Sequence, residues 1–414
     1  MRKNRLTVMA AVVLAGVAGY VPTSAQVAPR ATGRPQVCDS PTRTTRLFAE
    51  NMGGGRIGYG HTPATPSIPG PTLTMYEGQC LAVTLRNDTQ QPVSMHAHGV
   101  SYTVASDGTP LNNGCIDPGH SKTYVFSAHS PHIRPDGTIE PGSAGYWHYH
   151  DHCMGSPHGT VGIDSGLFGA LIVRRQGDPL PDLPTFVVVM GPGMTIDMKQ
   201  APHTPMFVAN EGQRVEFEVI GYGDLFHSFH LHGHRWVNNR TGYPTGIDDA
   251  TQVIDTRTVG PAESFGFQVV AGEGVGPGAW MYHCHVQDHS DMGMTGLFLV
   301  RRPDGTETAQ ERAAVARWRR EETQHHKMMI PALLAMGLRA DGRPRTGAGA
   351  MMNMPGGGTG SSGSYNSSTG GYGYKNGTSG GTGSYTYNGR TYTNRAAGVD
   401  PSHGPPGKTR QQGY

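Results

Sequence analysis

The sequence has almost no net charge. Lysine and arginine together number 33, and aspartate and glutamate 31, among 414 residues, which leaves +2 at pH 7 and a pI of about 8.3. Proteins that bind nucleic acids usually carry a concentrated basic surface. This balance gives no reason to expect such a partner, and we predict no nucleic acid.

Long apolar segments are also missing, apart from one at the start of the chain. Residues 6–21 are mostly apolar, follow Arg2, Lys3 and Arg5, and precede small residues at 23–25. That order is the pattern of a secretory signal peptide, and the apolar run is short for a membrane span. We therefore predict that residues 1–25 are a signal peptide and that the mature protein is secreted and not bound to a membrane.

Cysteine is scarce, with five in the chain. Exported proteins can keep disulfides. If Cys284 has another role, Cys38, Cys80, Cys115 and Cys153 remain as an even set that can form two disulfides in three connectivities. Four free thiols are the alternative, and the sequence does not separate these possibilities.

No segment between residues 42 and 302 has the pattern of a long amphipathic helix. Short alternating runs, such as residues 81–85 and 297–300, are separated there by Gly, Pro, Asn and Asp. Many short strands with turn signals between them predict an all-β sandwich or barrel. Residues 306–340 have a helical composition. Residues 342–414, rich in Gly, Ser, Thr, Asn and Tyr, predict a disordered tail.

An internal repeat divides the β-rich region. The motif Glu-Gly-Gln at residues 77–79 recurs at 211–213, and Ser-x-His-x-His-Gly at 94–99 recurs at 228–233. In both motifs the second copy lies 134 residues after the first. The repeat predicts two homologous β domains, at residues 40–176 and 184–302.

Histidine is the residue type in excess, with 21 in the chain. Eight of them form four His-x-His pairs, and on a strand residues i and i+2 share a face. Each pair therefore directs two imidazoles to one place. Neutral imidazole suits copper, and eight imidazoles are the right number for three copper ions. The pairs are His96/His98, His148/His150, His230/His232 and His283/His285.

The last pair encloses Cys284. On a strand, Cys284 points to one face while His283 and His285 point to the other. His289 and Met294 follow shortly after, and a thiolate, imidazoles and a thioether are the ligands of a blue-copper electron-transfer centre. The sequence therefore predicts two metal sites joined through Cys284 over about 10 Å of chain. A buried free cysteine between structural histidines is the alternative.

These motifs resemble those of multicopper oxidases, and specifically those of two-domain bacterial laccases (small laccases). The resemblance covers roughly residues 40–302 and lies in the stretches 68–72, 96–99, 147–152, 227–234 and 280–294. It implies two cupredoxin-like Greek-key β-sandwich domains. It also implies four copper ions per functional unit: one type 1, one type 2 and two type 3.

The resemblance implies a role for each copper ligand. The type 1 ligands would be His227, Cys284, His289 and the long axial partner Met294. The type 2 ligands would be His96 and His230. The type 3 ligands would be His98, His148, His150, His232, His283 and His285. Electrons would pass from Cys284 to His283 and His285.

Three more residues match family positions near the copper cluster. Tyr102 matches a tyrosine that can donate an electron, although a structural core tyrosine is an equal alternative. Asp107 and Asp255 match acids that orient water or supply protons, with a turn residue as the alternative for Asp107. In small laccases the cluster lies between subunits of a trimer, so the resemblance also implies a homotrimer.

The predicted function is that of a laccase, which oxidises small aromatic reductants and reduces O2 to water. The alternative is a cuprous-ion oxidase for copper tolerance, which the methionines at 190, 194 and 198 support. A two-domain copper nitrite reductase would need a blue site in the first repeat, where Tyr149 replaces the cysteine, and a phenol does not replace a thiolate. A non-catalytic electron carrier would not need eight paired histidines.

Overall fold

The computed structural model describes residues 38, 40–345, 384–387 and 390–393. The predicted signal peptide and most of the predicted tail lie outside these residues. Within the described part of the chain, no helix is long and apolar enough to cross a membrane.

The first half of the described chain forms a β-sandwich. Its strands are β1 (Arg43–Gly53), β2 (Arg56–Gly60), β3 (Pro66–Ser67), β4 (Gly70–Tyr76), β5 (Cys80–Asn87), β6 (His96–Ala97), β7 (Ser121–Ser127), β8 (His132–Ile133), β9 (Ile139–Glu140), β10 (Gly145–His150) and β11 (Phe168–Arg174). One sheet has the order β3-β2-β1-β5-β7 and the other β4-β11-β10-β6. Strands β8 and β9 form a separate hairpin.

Alternating side chains fill the space between these two sheets. Leu81, Val83 and Leu85 of β5 are buried with Tyr124 and Phe126 of β7 in one apolar core. Each such side chain contributes about 1.5–3 kcal/mol by leaving water. Short 3-10 helices at Val104–Ser106 and Pro110–Asn112, and helix α1 (Thr160–Ser165), lie in the connections.

Two disulfides tie the first sandwich. Cys38 pairs with Cys80, and Cys115 pairs with Cys153. Cys284 is the free cysteine, and it is buried. The structure thus selects one of the three connectivities and excludes four free thiols.

The second sandwich repeats the arrangement. Its strands are β12 (Phe186–Met190), β13 (Met206–Asn210), β14 (Arg214–Gly221), β15 (His227–Leu231), β16 (Trp236–Val237), β17 (Val253–Ile254), β18 (Thr256–Val259), β19 (Ser264–Val270), β20 (Gly278–Cys284) and β21 (Thr295–Arg301). One sheet has the order β12-β14-β19 and the other β13-β21-β20-β15-β18, while β16 and β17 form a separate pair. Helix α2 (Gln287–Asp291) links β20 to β21.

Helix α3 (Ala309–Ala335) follows the second sandwich. Its start is fixed by a capping box in which the Thr308 side chain accepts from the Glu311 N–H and the Glu311 side chain accepts from the Thr308 N–H. Val315 and Trp318 pack on Leu297 and its neighbours in β21.

The predicted all-β fold of two cupredoxin-like sandwiches with a C-terminal helix is confirmed. The part predicted as a disordered tail differs in two places. Residues 342–345 lie against the second sandwich, where the Met194 N–H donates to the Gly342 carbonyl at 2.9 Å. Farther along, strands β22 (Ser384–Tyr387) and β23 (Arg390–Thr393) form an antiparallel pair. Backbone hydrogen bonds account for both, and composition does not reveal them.

The two sandwiches meet across β10 and β11 of the first and β12, β14 and β19 of the second. The Arg174 guanidinium donates to both carboxylate oxygens of Glu216, at 2.9 and 2.7 Å, and the Tyr146 hydroxyl donates to Glu216 at 2.8 Å. Glu218 lies two residues further along β14 and is fully buried, and among the described residues neither of its oxygens has a hydrogen-bond partner. Burial and the charge of Glu216 raise the pKa of Glu218 well above its usual value. Glu218 therefore retains its proton to a higher pH than an exposed glutamate does.

Glu218 makes the stability of the protein depend on pH. The unfolded chain ionises this side chain near pH 4, whereas the folded protein keeps the proton to a higher pH, so stability falls as pH rises through that window. Glu218→Gln, which resembles the protonated acid, should remove this loss. We expect urea unfolding to show that the free energy of unfolding of the variant increases relative to that of wild type as pH rises. The increase should be up to about 1.4 kcal/mol per pH unit. If the difference in unfolding free energy between variant and wild type stays constant with pH, Glu218 is ionised in the folded protein.

Candidate metal centres

Cys284 lies between two histidines from different elements. Strand β20 ends at Cys284 and pairs with β15, which begins at His227, and α2 carries His289. Cys284 Sγ is 3.8 Å from His227 Nδ1 and 3.6 Å from His289 Nδ1, and these two nitrogens are 3.2 Å apart. We call these three residues, with Met294, the cysteine site.

The cysteine site is sealed from water on most sides. Cys284 and Met294 are fully buried and His227 is 1% exposed, while His289 is half-buried. Burial and the nearby His289 lower the pKa of His227 to about 4, and burial raises the pKa of the Cys284 thiol. The Cys284 N–H donates to the Met294 carbonyl at 3.0 Å, and the Met294 N–H donates to the His289 carbonyl at 3.1 Å. The backbone therefore connects Met294 directly to two of the other three residues.

A group of four histidines begins at the residue next to Cys284. His230 of β15 lies opposite His283 of β20, and His232 Nε2 is 3.2 Å from His283 Nε2. The ring of His285 is 5.3 Å from that of His283 and 5.4 Å from that of His230. We call these four residues the second histidine group.

Backbone carbonyls orient rings of the second histidine group. His283 Nδ1 donates to the Cys284 carbonyl at 2.8 Å, and His230 Nδ1 donates to the Asp255 carbonyl at 2.9 Å. A ring whose Nδ1 proton is held in this way leaves its Nε2 lone pair free for a metal.

The first sandwich carries an equivalent group, His96, His98, His148 and His150. His96 of β6 lies opposite His150 of β10, and His98 Nε2 is 3.1 Å from His150 Nε2. His96 Nδ1 donates to the Asp107 carbonyl and His150 Nδ1 to the Asp151 carbonyl, both at 2.7 Å. We call these four residues the first histidine group. The geometry of the second group is repeated when His150 and His152 stand for His283 and His285: the His96 ring is 5.5 Å from His150 and 5.1 Å from His152. Tyr149 lies opposite Gly169 as Tyr282 lies opposite Gly296. The structure therefore aligns Tyr149 with Tyr282 and Asp151 with Cys284, which corrects the alignment of Tyr149 with Cys284 predicted from the sequence.

Burial keeps the first histidine group neutral. It lowers the pKa of His98 to about 4 and that of His148 to about 3, and in both cases the charge of a neighbouring histidine adds to the effect. The pKa of His150 lies well below its usual value for the same reasons. Neutral rings retain the lone pairs that metal binding requires.

His148 differs from the other members of its group. Its ring stacks on His98 with centroids 4.0 Å apart, but both of its nitrogens are hydrogen-bonded to the second sandwich. Nδ1 is 2.6 Å from the Tyr222 hydroxyl, and Nε2 is 3.0 Å from the Ala262 carbonyl. Metal binding through Nε2 would replace the hydrogen bond to Ala262, so the ligand role of His148 stays a prediction.

The two histidine groups are separate within one chain. Among the described residues, no ring contact joins a histidine of one group to a histidine of the other, and His96 and His150 of the first group also contact the ring of His152. Each group therefore supplies four imidazoles to its own place in the chain.

The three predicted accessory residues lie beside these groups. The Tyr102 ring meets the His96 ring edge-on at 5.9 Å. Asp107 Oδ1 is 3.7 Å from His96 Nδ1, and its other oxygen accepts from Thr109 and Asn112. Asp255 Oδ1 is 3.8 Å from His230 Nδ1, so the two acids occupy equivalent positions in the repeat. Their catalytic roles stay predictions.

Sequence reasoning did not identify Tyr222. Its ring contacts His148 at 5.2 Å and His150 at 5.7 Å. Tyr222 lies 74 residues from His148, in the other sandwich. No local pattern signals a contact of this kind.

The comparisons with known proteins agree with this geometry. Two family models, both described as multicopper oxidase, match the chain at residues 64–178 and 178–304. The chain belongs to the multicopper oxidase family.

Relatives of this chain carry several names. A probable nitrite reductase-hydroxylamine oxidoreductase fusion protein of Kuenenia stuttgartiensis is 31% identical over 59% of this chain and 28% of its own length. The human ferroxidase HEPHL1 is 25% identical over 56% of this chain and 23% of its own length. Laccase-9 of Arabidopsis thaliana is 33% identical over 28% of this chain and 17% of its own length. The chain spans less than a third of each of these relatives.

Copper, which the family implies, fits the donor atoms of the chain. The facing nitrogens of His98 and His150 are 3.1 Å apart, and those of His232 and His283 are 3.2 Å apart. Nitrogens at this separation can both reach one ion at about 2 Å, the usual length of a metal–imidazole bond. At the cysteine site, thiol, imidazole and thioether donors form the set that a blue-copper centre uses. The residues therefore fit copper at all three places.

Proposed function

We propose that this protein is a secreted, laccase-like multicopper oxidase. One observation carries the proposal: Cys284 belongs to the cysteine site, while its neighbour His283 belongs to the second histidine group. When bound, copper at the cysteine site accepts single electrons from a reductant, and copper at the histidine groups reduces O2 to water with four of them. A single peptide link thus connects the place of oxidation to the place of reduction.

In this proposal each residue at the cysteine site has a distinct part. Cys284, His227 and His289 would hold the type 1 ion, with the Met294 thioether as a fourth, weaker donor. His227 is nearly inaccessible, so the half-buried His289 is the edge through which a reductant donates its electron. The peptide and side chains of Cys284 and His283 then form the path inward, strengthened by the 2.8 Å hydrogen bond from His283 to the Cys284 carbonyl.

Exposed apolar side chains near this edge favour aromatic reductants. Phe226, next to His227, is 65% exposed, and Val286, three residues before His289, is 38% exposed. Such side chains pack well against a flat ring but provide few polar contacts for specific recognition. We therefore propose phenols and aromatic amines as the substrate class.

Replacing the thiol tests this assignment. Cys284→Ser should abolish the blue absorption and the oxidation of a methoxyphenol, because a hydroxyl does not supply the copper–thiolate bond. Copper bound at the histidine groups should remain. The control is Tyr149→Phe in the first repeat, where the hydroxyl donates to the Pro71 carbonyl at 2.6 Å, as the Tyr282 hydroxyl of the second repeat donates to the Pro205 carbonyl. The oxidation rate, the copper content and the EPR spectrum of each variant are measured. The proposal fails if the serine variant keeps wild-type activity.

The separation of the two histidine groups supports a cluster shared between subunits. We propose that the first group of one subunit and the second group of the next together hold one type 2 and two type 3 ions. Head-to-tail contacts of this kind close into a ring, and we propose a homotrimer. The four copper ions of a functional unit are then one at the cysteine site and three between subunits.

Mixing two inactive variants tests the shared cluster. One variant carries His98→Ala and His150→Ala, and the other carries His232→Ala and His283→Ala. Co-expression should restore part of the wild-type activity, because some interfaces then join an intact first group to an intact second group. Each variant expressed alone is the control and should be inactive. If the co-expressed mixture has no activity, the cluster is built within one chain.

A cuprous-ion oxidase is the second candidate, since a ferroxidase, which oxidises a metal ion, is among the relatives. The methionines that supported it, Met190, Met194 and Met198, are 0, 2 and 4% exposed. Buried thioethers offer no entry for Cu⁺ from solution, which favours the laccase.

Substrate preference separates these two candidates. We expect a higher kcat/KM for a methoxyphenol than for Cu⁺ presented as a weak complex, because Phe226 and Val286 are exposed apolar side chains on which an aromatic ring can pack. Steady-state rates of O2 consumption with each reductant measure this. The opposite preference would identify the cuprous-ion oxidase.

A further inference from the structure

Residues 336–345, which we call the C-terminal strap, contact both sandwiches. The Met194 N–H of the second sandwich donates to the Gly342 carbonyl at 2.9 Å. The buried guanidinium of Arg343 donates to the Gly54 carbonyl of the first sandwich at 3.1 Å. The strap folds back on itself through an antiparallel bridge between Leu338 and Pro344. It is thus an ordered part of the fold.

Gln200 connects the strap to the segment that carries Met294. Its Nε2 donates to the Met194 carbonyl at 2.9 Å and to the Met292 carbonyl at 2.6 Å, and the side chain is buried. Gly342 packs directly on this amide, since a β-carbon at Gly342 would overlap the Gln200 side chain. The next residue, Ala201, donates its N–H to the Gly293 carbonyl at 2.9 Å.

Helix α3 and the strap support the same segment from other directions. Leu333 is fully buried in the core that contains Met294, and Leu338 and Met292 pack against that core. His325 of α3 donates from Nε2 to the Asp291 carbonyl, the last residue of α2, at 2.6 Å. The residues before and within the Met292–Met294 turn are therefore held by contacts from the C-terminal region.

An axial thioether is a weak, long ligand of blue copper, yet it tunes the reduction potential. A bond that weak does not determine where the methionine lies, so the packing of the protein must do so. The backbone of Met294 is positioned by its bonds to His289 and Cys284 on one side and by Gln200 and the strap on the other.

We propose that the C-terminal strap, acting through Gln200, positions Met294 at the cysteine site and thereby sets the reduction potential of the copper bound there. Gln200 and Gly342 are positioning residues, since neither is a proposed copper ligand. The inference rests on the proposed assignment of type 1 copper to this site. Weaker donation by a displaced thioether favours the reduced ion, so loosening the strap should raise the potential.

The first test compares two buried glutamines. In Gln200→Leu both hydrogen bonds to the Met194 and Met292 carbonyls are lost. Gln268→Leu is the matched control, because Gln268 is equally buried and its Nε2 also donates twice, to the Pro179 carbonyl and to Glu216, at the contact between the sandwiches. We expect Gln200→Leu to shift the blue absorption band and the copper hyperfine splitting and to raise the potential. Gln268→Leu should change stability alone.

The second test acts from the strap. In Gly342→Ala the new methyl group displaces the Gln200 amide, and the backbone there has a φ of 75°. Gly274→Ala is the control for the cost of that backbone conformation, because Gly274 has a φ of 73° and open space where a β-carbon would lie. We expect Gly342→Ala to reproduce the spectral shift of Gln200→Leu and Gly274→Ala to leave the spectrum unchanged.

Copper-free protein provides a readout that does not depend on the metal. Amide hydrogen exchange at Gly293 and Met294 should become faster by about tenfold in Gln200→Leu and Gly342→Ala, as expected when anchoring hydrogen bonds are lost. The two controls should exchange at the wild-type rate there. Wild-type spectra and wild-type exchange in both strap variants would overturn the inference. Absence of a blue centre in the wild-type protein would instead overturn the proposed function, and exchange in the copper-free protein would still test the anchoring.

Discussion

The antiparallel pairing of β15 with β20 is the constraint on which the metal centres depend. It places His230 opposite His283 and Phe229 opposite Cys284, so that imidazoles and thiol lie on alternate faces. A shift of one residue would exchange the faces of every side chain on the strand. The register is held by Phe229, Leu231 and Tyr282, which are fully buried in the core of the second sandwich. The hydrophobic core thus determines which donor faces which site.

Local pattern was enough to predict the all-β fold and the close approach of the pair His230/His232 to the pair His283/His285. Alternation along a strand is a property of neighbouring residues, and the repeat at 134 residues reveals the duplicated sandwich. The contact of His148 with Tyr222 and Ala262 could not be found in this way, because the partners lie 74 and 114 residues away in the other sandwich. The disulfide pairing and the strap also depend on distant packing, and composition alone made residues 342–345 look like the start of a disordered tail.

The contact between the two sandwiches both holds them together and orients a histidine of the first group. Arg174 and Glu216 form a buried ion pair there, and an ion pair of this kind adds orientation more than net stability. The Glu216 carboxylate also accepts a hydrogen bond from the Tyr146 hydroxyl. Tyr146 lies on β10, the strand that also carries His148. Farther along the same layer, Tyr222 reaches from the second sandwich to the first histidine group. The relative placement of the sandwiches and the orientation of His148 are therefore set by the same contacts.

The disulfide between Cys115 and Cys153 has a consequence for how the protein matures. Cys153 follows His152 and lies three residues after His150, so in the reduced chain an additional soft sulfur donor would stand beside the first histidine group. Copper binds thiolates strongly, and a reduced pair would compete with the imidazoles for the incoming ion. Oxidation of Cys115 and Cys153 removes that competitor and leaves Cys284 as the one sulfhydryl among the five cysteines. Formation of this disulfide thus protects the imidazoles of the first histidine group from a sulfur donor that would compete with them for copper.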